Sequence, residues 1–545
     1  MPFKYQPIND YDNNSVNRRF LKKIIVAIII IIVICILTIL ALWKKPKDPE
    51  NSYLIIAKHG AVATELDECS DIGIDVLKEG GSAVDAAIAA QLCVGTINAF
   101  SAGIGGGGFM MIRLPNGTAE FIDSRETAPQ GAYKNMFVKN PLSSSIGGLS
   151  VGVPGEIYGM KLAHERYGKL PWKRLFEPSI KLSRDGFPVG RELGIRLKMY
   201  KDILEQDPAL SAIYAPSGKL LKEGEIVYRR NFSRTLELIS KNYTEFYEGS
   251  IARSLIEEIN RQGGNMTYDD FKNYKSIIRE PVIGYFHGRK IITTSEPTSG
   301  PSLIFMLNLL ENYGMSRLDG TNIQRIVEVM KFGFARRTEM GDPEYFRDQA
   351  AHEARIQEII SKEYAALVRP NISDTQTFDP NYYNPLFDQT NDHGTTHVSV
   401  LDVNDMAVSL SSTVSPGKRP LSSTVPTIVE NENGKVELVT GGSGGSKILT
   451  AVLQVLLNVY DFDMSLLDAI NFPRVHHQLL PNLIKVEQGL NYELVDKLLT
   501  IGHDVLLHNI EDRVHSCQVQ AVRKFEDGTI HAVSDFRKNG IAAGY

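Results

Sequence analysis

Gly394-Thr395-Thr396 lies three quarters of the way along the chain, at the head of an alternating apolar stretch, residues 395–400. A threonine hydroxyl is a poor nucleophile until a base takes its proton. When threonine is the first residue of a chain, its own α-amino group supplies that base, directly or through water. An unperturbed amine pKa of about 8 suits neutral pH. In a precursor the hydroxyl attacks the preceding carbonyl, shifts the acyl group to oxygen and hydrolyses. Gly394 leaves that carbonyl sterically open, and cleavage there makes Thr395 a new N-terminus. The competing reading is a loop entering a sheet.

Other residues add chemistry of the same kind. Residues 441–446 read GGSGGS after the apolar run KVELVT and before a helical pattern. Consecutive backbone N–H groups in such a turn make an oxyanion hole; a flexible strand-to-helix loop is the plainer reading. Ser422 and Ser423 follow KRPL and are either substrate hydrogen-bond donors or an ordinary turn. Arg125 ends an early strand and is either a surface cation, the stronger reading on the residues alone, or a carboxylate clamp. The run GIGGGG (103–108) lacks the Lys-Ser/Thr and helix start of a phosphate loop, so tight turns before a hairpin explain it. No His/Cys cluster suggests a metal, and His476-His477 read as structural.

These residues need rigid elements around them. The first half reads helical: residues 68–77, a second helix capped near Ser82, and short helices across 154–275, 302–340 and 348–367. FMMIRL, the turn Pro115-Asn116-Gly117 and TAEFIDSR form a strong hairpin signal. From Thr396 the period changes to two, with helices near 447–460, 465–470 and 492–501 before two final strands. Helices in one block and antiparallel hairpins in another predict a layered α+β fold.

The 545 residues are 43% hydrophobic with a net charge of −5, which disfavours nucleic acid as a partner. Residues 24–43 carry no charge and are long enough to span a bilayer. Basic residues flank both ends, and the positive-inside rule puts the tail 1–23 in the cytoplasm. The expectation is a single-pass type II signal anchor, a stalk over 44–52 and one extracellular unit from 53 onward. Sequons at Asn116, Asn231, Asn242, Asn265 and Asn371 all lie beyond the anchor. An oxidising compartment permits a Cys69–Cys93 bridge and leaves Cys517 over.

Taken together, the chain resembles the γ-glutamyltransferase family, the glutathione hydrolases of the N-terminal-nucleophile hydrolase superfamily. The resemblance runs from about 54 to 545. It rests on GGSAVDAAIAA (80–90), GIGGGGFM (103–110), DSRETAP (123–129), VGVPGEIYG (151–159), LPWKRLFEPSI (170–180), EPTSGP (296–301), GTTHVSV (394–400), PGKRPLSS (416–423), GGSGGSKI (441–448), PRVHHQLLPN (473–482) and the C-terminal DFRKNGIAAGY. It implies a four-layer αββα fold and self-cleavage into a large subunit (53–394, behind the anchor) and a small one (395–545). Thr395 is then the nucleophile toward the γ-glutamyl amide of glutathione and related compounds, and water, an amino acid or a dipeptide is the acceptor. Arg125 matches the α-carboxylate grip, with Ser422 and Ser423 beside it. Gly444 and Gly445 match the oxyanion hole and Thr413 a support for the nucleophile. Cys69 and Cys93 match a disulfide, and His397 reads as structural. The implied residence is the plasma membrane; no cofactor is implied.

One departure stands out. After SLSSTVS (409–415) the family continues through a lid and an acidic stretch that binds the substrate α-ammonium before PGKxPLSS. Here Ser415, where an Asn is expected, runs straight into Pro416. Losing a buried charge partner costs on the order of 3–5 kcal/mol. Two expectations follow: an active γ-glutamyl enzyme with an altered site, or an impaired member, a splice or gene-model product persisting as a membrane glycoprotein.

Overall fold

Two seven-stranded sheets organise the chain. In chain order their strands are β1 (Ile55–Ala57), β2 (Ala61–Ala63), β3 (Gly107–Arg113), β4 (Ala119–Ser124), β5 (Ile277–Arg279), β6 (Val282–Phe286), β7 (Arg289–Thr293), β8 (Thr395–Leu401), β9 (Ala407–Thr413), β10 (Thr427–Glu430), β11 (Val436–Ser443), β12 (Gln518–Lys524), β13 (Ile530–Ser534) and β14 (Ala543–Gly544). One sheet runs β1-β13-β12-β11-β10-β7-β6 and the other β14-β2-β8-β9-β3-β4-β5. This computed structural model describes residues 51–387, 395–413, 419–509 and 516–545. The expected tail, the anchor, all but the last two residues of the stalk, Gly394 and Ser415 lie outside the described residues. Among the described residues no helix is long and apolar enough to cross a membrane.

Side-chain alternation decides the layering. On β3, Phe109 and Met111 enter a core shared by both sheets, with Phe121, Ile292, Val439 and Val522. Met110 and Ile112 point the other way, into a core with the helices Ala83–Ile97 and Trp172–Asp185. The sheet containing β11 packs its outer face on Gly300–Leu310, Gly320–Arg337 and Lys447–Tyr460. The layers are therefore helices, sheet, sheet, helices. Both faces of the central strands are buried, so β9 is apolar or small throughout, and β8 and β11 depart from that pattern only at His397 and Glu437.

Helix Ala83–Ile97 shows how sequence makes such an element. Ser82 Oγ accepts from the Asp85 N–H, and Asp85 Oδ2 accepts from the Ser82 N–H, closing a capping box. All its residues are buried, as an Ala-rich helix without a polar face requires. Cys93 on this helix is bonded to Cys69 on Asp67–Lys78, and Cys517 is free and buried. The bridge closes a loop with a sequence separation of 24, so replacing both cysteines by alanine is expected to remove about 3 kcal/mol. The urea midpoint of the double variant against the parent measures this.

The glycine-rich stretch after β11 is shorter than its sequence suggests. Gly441, Gly442 and Ser443 belong to the strand, and only Gly444–Ser446 form the turn. A Cβ on Gly441 would lie 2.3 Å from His397 Cε1, so the strand needs glycine to admit the imidazole from the facing sheet.

Candidate functional site

Thr395 is the first residue of β8 and pairs with Thr413, the last residue of β9. Thr413 pairs in turn with Gly107 at the start of β3. Gly108 faces Ser124, which sets Arg125 just past the end of β4 at the same edge. Thr395, Thr413, Gly107 and Arg125 therefore form one row across the end of one sheet. Three strand spacings put the outer two about 14 Å apart, backbone to backbone.

Arg125 is not a surface cation, correcting the reading from the residues alone. It is 1% exposed, and its Nε and Nη1 have no hydrogen-bond partner among the described residues. Its neighbours hold its backbone: Tyr274 donates to its carbonyl at 2.9 Å, and its N–H donates to Asp123 Oδ1 at 3.0 Å. Glu126 Oε1 lies 3.7 Å from Nη1. A buried guanidinium with unused donors is costly unless something else takes them, and a planar carboxylate fits that fork.

The other sheet brings the glycine turn to the same end. Ser409 Oγ donates to the Thr440 carbonyl, and His397 packs on Gly441, so the residues beyond Ser443 continue toward the Thr395 end of β8. Gly444 and Gly445 both have positive φ, +140° and +63°. A Cβ on Gly444 would meet Cys517 Cα at 2.7 Å, so only glycine fits. Ser422 and Ser423 are buried; the Ser422 N–H donates to the Pro297 carbonyl, and Ser299 Oγ donates to the Ser422 carbonyl. Those bonds fix the backbone there.

Behind Thr395 lies a network that sequence reasoning missed. Lys538 Nζ donates to Glu65 Oε2 at 2.5 Å, to Ser101 Oγ at 2.6 Å and to the Thr395 carbonyl at 3.2 Å. Thr396 Oγ1 donates to the same Glu65 oxygen, and Asn98 Nδ2 to the other. Within KNG, Lys538 reads locally as a turn lysine; nothing in its neighbourhood signals burial. His397 sits between the sheets, with Nδ1 at 2.8 Å from Ser411 Oγ and Nε2 at 3.0 Å from Ser399 Oγ. Burial pushes its pKa down to about 3, so the ring is neutral at physiological pH and structural. His476 and His477 are buried as well, with His476 on Thr450 and Gln478 and His477 on the Leu479 N–H.

Glu156 is the other missed residue. It accepts from Ser412 Oγ at 2.5 Å and from Gln91 Nε2 at 2.9 Å. Burial pushes its pKa up to about 7 against those bonds, and Glu126 adds to the rise. The folded pKa lies above the unfolded value near 4.5, so its stabilisation is complete below 4.5 and is lost as pH rises through about 7. The loss amounts to about 3 kcal/mol. Urea unfolding at pH 4.5 and about pH 8 is expected to show the parent losing that much relative to Glu156→Gln.

Comparison with known proteins supplies the family. The family model described as Gamma-glutamyltranspeptidase matches residues 69–415 and 411–545. Glutathione hydrolase proenzyme 1 of Schizosaccharomyces pombe is 41% identical over 547 residues, covering 90% of this chain and 85% of that protein. The chain belongs to the γ-glutamyltranspeptidase family. Among solved structures, a γ-glutamyltranspeptidase from Helicobacter pylori matches with TM-score 0.56 and 30% identity, over 60% of this chain and 96% of its own. A cephalosporin acylase from Bacillus halodurans shares the fold at TM-score 0.81 and 21% identity, over 92% of this chain and 99% of its own. The chain is thus a γ-glutamyltranspeptidase-family enzyme, with glutathione and γ-glutamyl compounds as the family's substrates. Its match to the γ-glutamyltranspeptidase model comes in two pieces that meet at 411–415, where Ser415 runs into Pro416.

Proposed function

We propose that this chain is a membrane-anchored γ-glutamyltransferase and glutathione hydrolase that matures by cutting itself between Gly394 and Thr395. The observation that carries the reading is the shared row: Thr395 and the buried, unsatisfied Arg125 stand at the same end of one sheet. The word proenzyme in the name of the yeast relative supports a processed precursor.

In this reading the Thr395 α-amino group takes the hydroxyl proton, and Oγ adds to the γ-glutamyl carbonyl. Backbone N–H groups of the Gly444-Gly445 turn receive the oxyanion. Arg125 grips the α-carboxylate, with Ser422 and Ser423 at its side and Thr413 supporting the nucleophile. The C–N bond breaks, the proton leaves on the amine, and water or an acceptor amine releases the acyl group. The fragments 1–394 and 395–545 stay together, since β8 and β9 of the second fragment sit between β2 and β3 of the first.

Residues 24–43 serve as a type II anchor in the plasma membrane, with the catalytic unit outside the cell. Asn116, Asn231, Asn242 and Asn371 are exposed and fit glycan acceptors. Asn265 fits less well, being half-buried with Nδ2 donated to the Gly131 carbonyl. A second reading, an impaired member, is favoured by one observation: the broken family match at 411–415.

Expression of the full chain and N-terminal sequencing of its fragments test the proposal. A fragment beginning at Thr395, together with release of glutamate from glutathione, is the expected result. An uncut chain without glutamate release would leave the impaired reading standing.

A further inference from the structure

Residues 127–155 contain two lysines and no carboxylate, and they turn apolar side chains outward. Tyr133, Val138, Leu142 and Ile146 are between 52% and 73% exposed, with exposed Lys134 and Lys139 among them. A lone apolar residue on a surface needs no explanation. Four within one stretch of 14 residues form a patch, and such patches mark a contact. The stretch is held at both feet. Thr127 and Val153 exchange backbone hydrogen bonds at 3.2 and 2.8 Å, the Gln130 N–H donates to Asp270 Oδ1, and the Gly148 N–H donates to the Gln262 carbonyl. Between the feet, Ser143 and Ser144 donate their hydroxyls to the Asn140 and Pro141 carbonyls, so the backbone there satisfies itself locally.

The position of this patch narrows what covers it. The stretch follows the end of β4, so it leaves the sheets at the end where Thr395 begins β8. The beginning of the catalytic unit is tied at that same end. Ser52 Oγ accepts from the Phe536 N–H at 2.8 Å, and Phe536 follows β13, whose last residue Ser534 pairs with Gln520 and through it faces Gly441. Only the eight residues 44–51 separate Ser52 from the uncharged run 24–43. Eight residues reach at most about 30 Å. A bilayer holding that run therefore lies close to the end of the sheets that carries the patch.

We infer that residues 133–146 dock on the phospholipid surface of the membrane that anchors the chain. Tyr133, Val138, Leu142 and Ile146 enter the interfacial layer, where an aromatic ring with a polar tip is favoured. Lys134 and Lys139 meet the lipid phosphates, and the absence of any carboxylate from 127–155 leaves nothing in the stretch to repel them. The inference rests on the proposed anchor 24–43 and is independent of the Thr395 chemistry.

The test uses the full chain reconstituted in phosphatidylcholine vesicles that carry a nitroxide near the headgroup of part of the lipid. Val138→Trp is compared with Val403→Trp; Val403 is 57% exposed in the turn between β8 and β9, at the opposite end of the sheet. After subtraction of the parent's emission, the nitroxide is expected to quench Trp fluorescence at least about threefold more in Val138→Trp than in Val403→Trp. Equal quenching in a chain that floats with the vesicles overturns the inference and leaves the anchor standing. A chain that does not float overturns both. Emission from Val138→Trp that ignores the nitroxide but shifts with the protein-to-lipid ratio puts a second copy on the patch and also overturns the inference. The unsubstituted chain gives a second readout. When vesicles replace detergent, trypsin cleavage after Lys139 is expected to slow at least about tenfold relative to cleavage after Lys435, which is exposed in the turn between β10 and β11. An unchanged ratio overturns the inference as well.

Discussion

Thr395→Ala is expected to run as a single band on a denaturing gel where the parent resolves into two, and to lose hydrolysis on the order of a millionfold. The reason is that one hydroxyl has two jobs. It attacks the Gly394 carbonyl once, in the precursor, and the substrate carbonyl in every later turnover. Alanine removes both, and the uncut chain also lacks the free α-amino group that serves as base. Thr395→Ser keeps the hydroxyl and is expected to be cut and active, with a slower rate because serine lacks the methyl that restricts χ1. The fold is not at stake: Thr395 remains paired with Thr413 through the backbone, which the substitution leaves intact. Two bands from the alanine variant would assign the cut to another agent and remove Thr395 from the mechanism.

Lys538→Met has the second largest expected effect, on stability and on maturation together. The Lys538 ammonium is 4% exposed and is the counter-ion of Glu65, which is fully buried. Removing one member of such a pair strands the other charge, at a cost of about 3–5 kcal/mol. Lys538→Met combined with Glu65→Gln removes both charges, so most of that loss should return, giving a large coupling in a double-mutant cycle. Denaturant unfolding of the four proteins measures it. The third Lys538 contact, to the Thr395 carbonyl, adds an effect on rate. Without it the residue that must attack its neighbour is held less firmly, and the parent's two bands should appear more slowly in a pulse-chase. If the double variant is as unstable as the single one, Lys538 is holding packing and not charge.

Much of this site is legible in the sequence because its signals are local. Ser82 and Asp85 make their capping box within four residues of each other. The Pro115-Asn116-Gly117 turn specifies its own hairpin, and Gly444 and Gly445 mark backbone that other residues adopt poorly. The change from helical to strand periodicity at Thr396 locates β8 to within a residue. Arg125 was misjudged as a surface cation because nothing adjacent to it is unusually apolar. Its burial comes from Phe109 on the next strand and Tyr274, which lies 149 residues away. Gly441 and Gly442 looked like loop for a related reason. Their need for glycine is set by His397 and Gln518 on other strands, and a strand glycine without those neighbours in view is indistinguishable from a turn.

From the sequence alone come the family blocks, the placing of helices and strands, the candidate nucleophile at Thr395 and the abrupt junction of Ser415 with Pro416. Periodicity, caps and turns are properties of neighbouring residues, and that is why they can be read in order. Only the tertiary structure decided that Arg125 is buried with donors to spare, that Glu156 titrates near 7, and that Lys538 reaches Glu65 across 473 positions of chain. Charge burial and counter-ion choice depend on what surrounds a group in space, and packing between layers brings together residues that the linear order keeps apart.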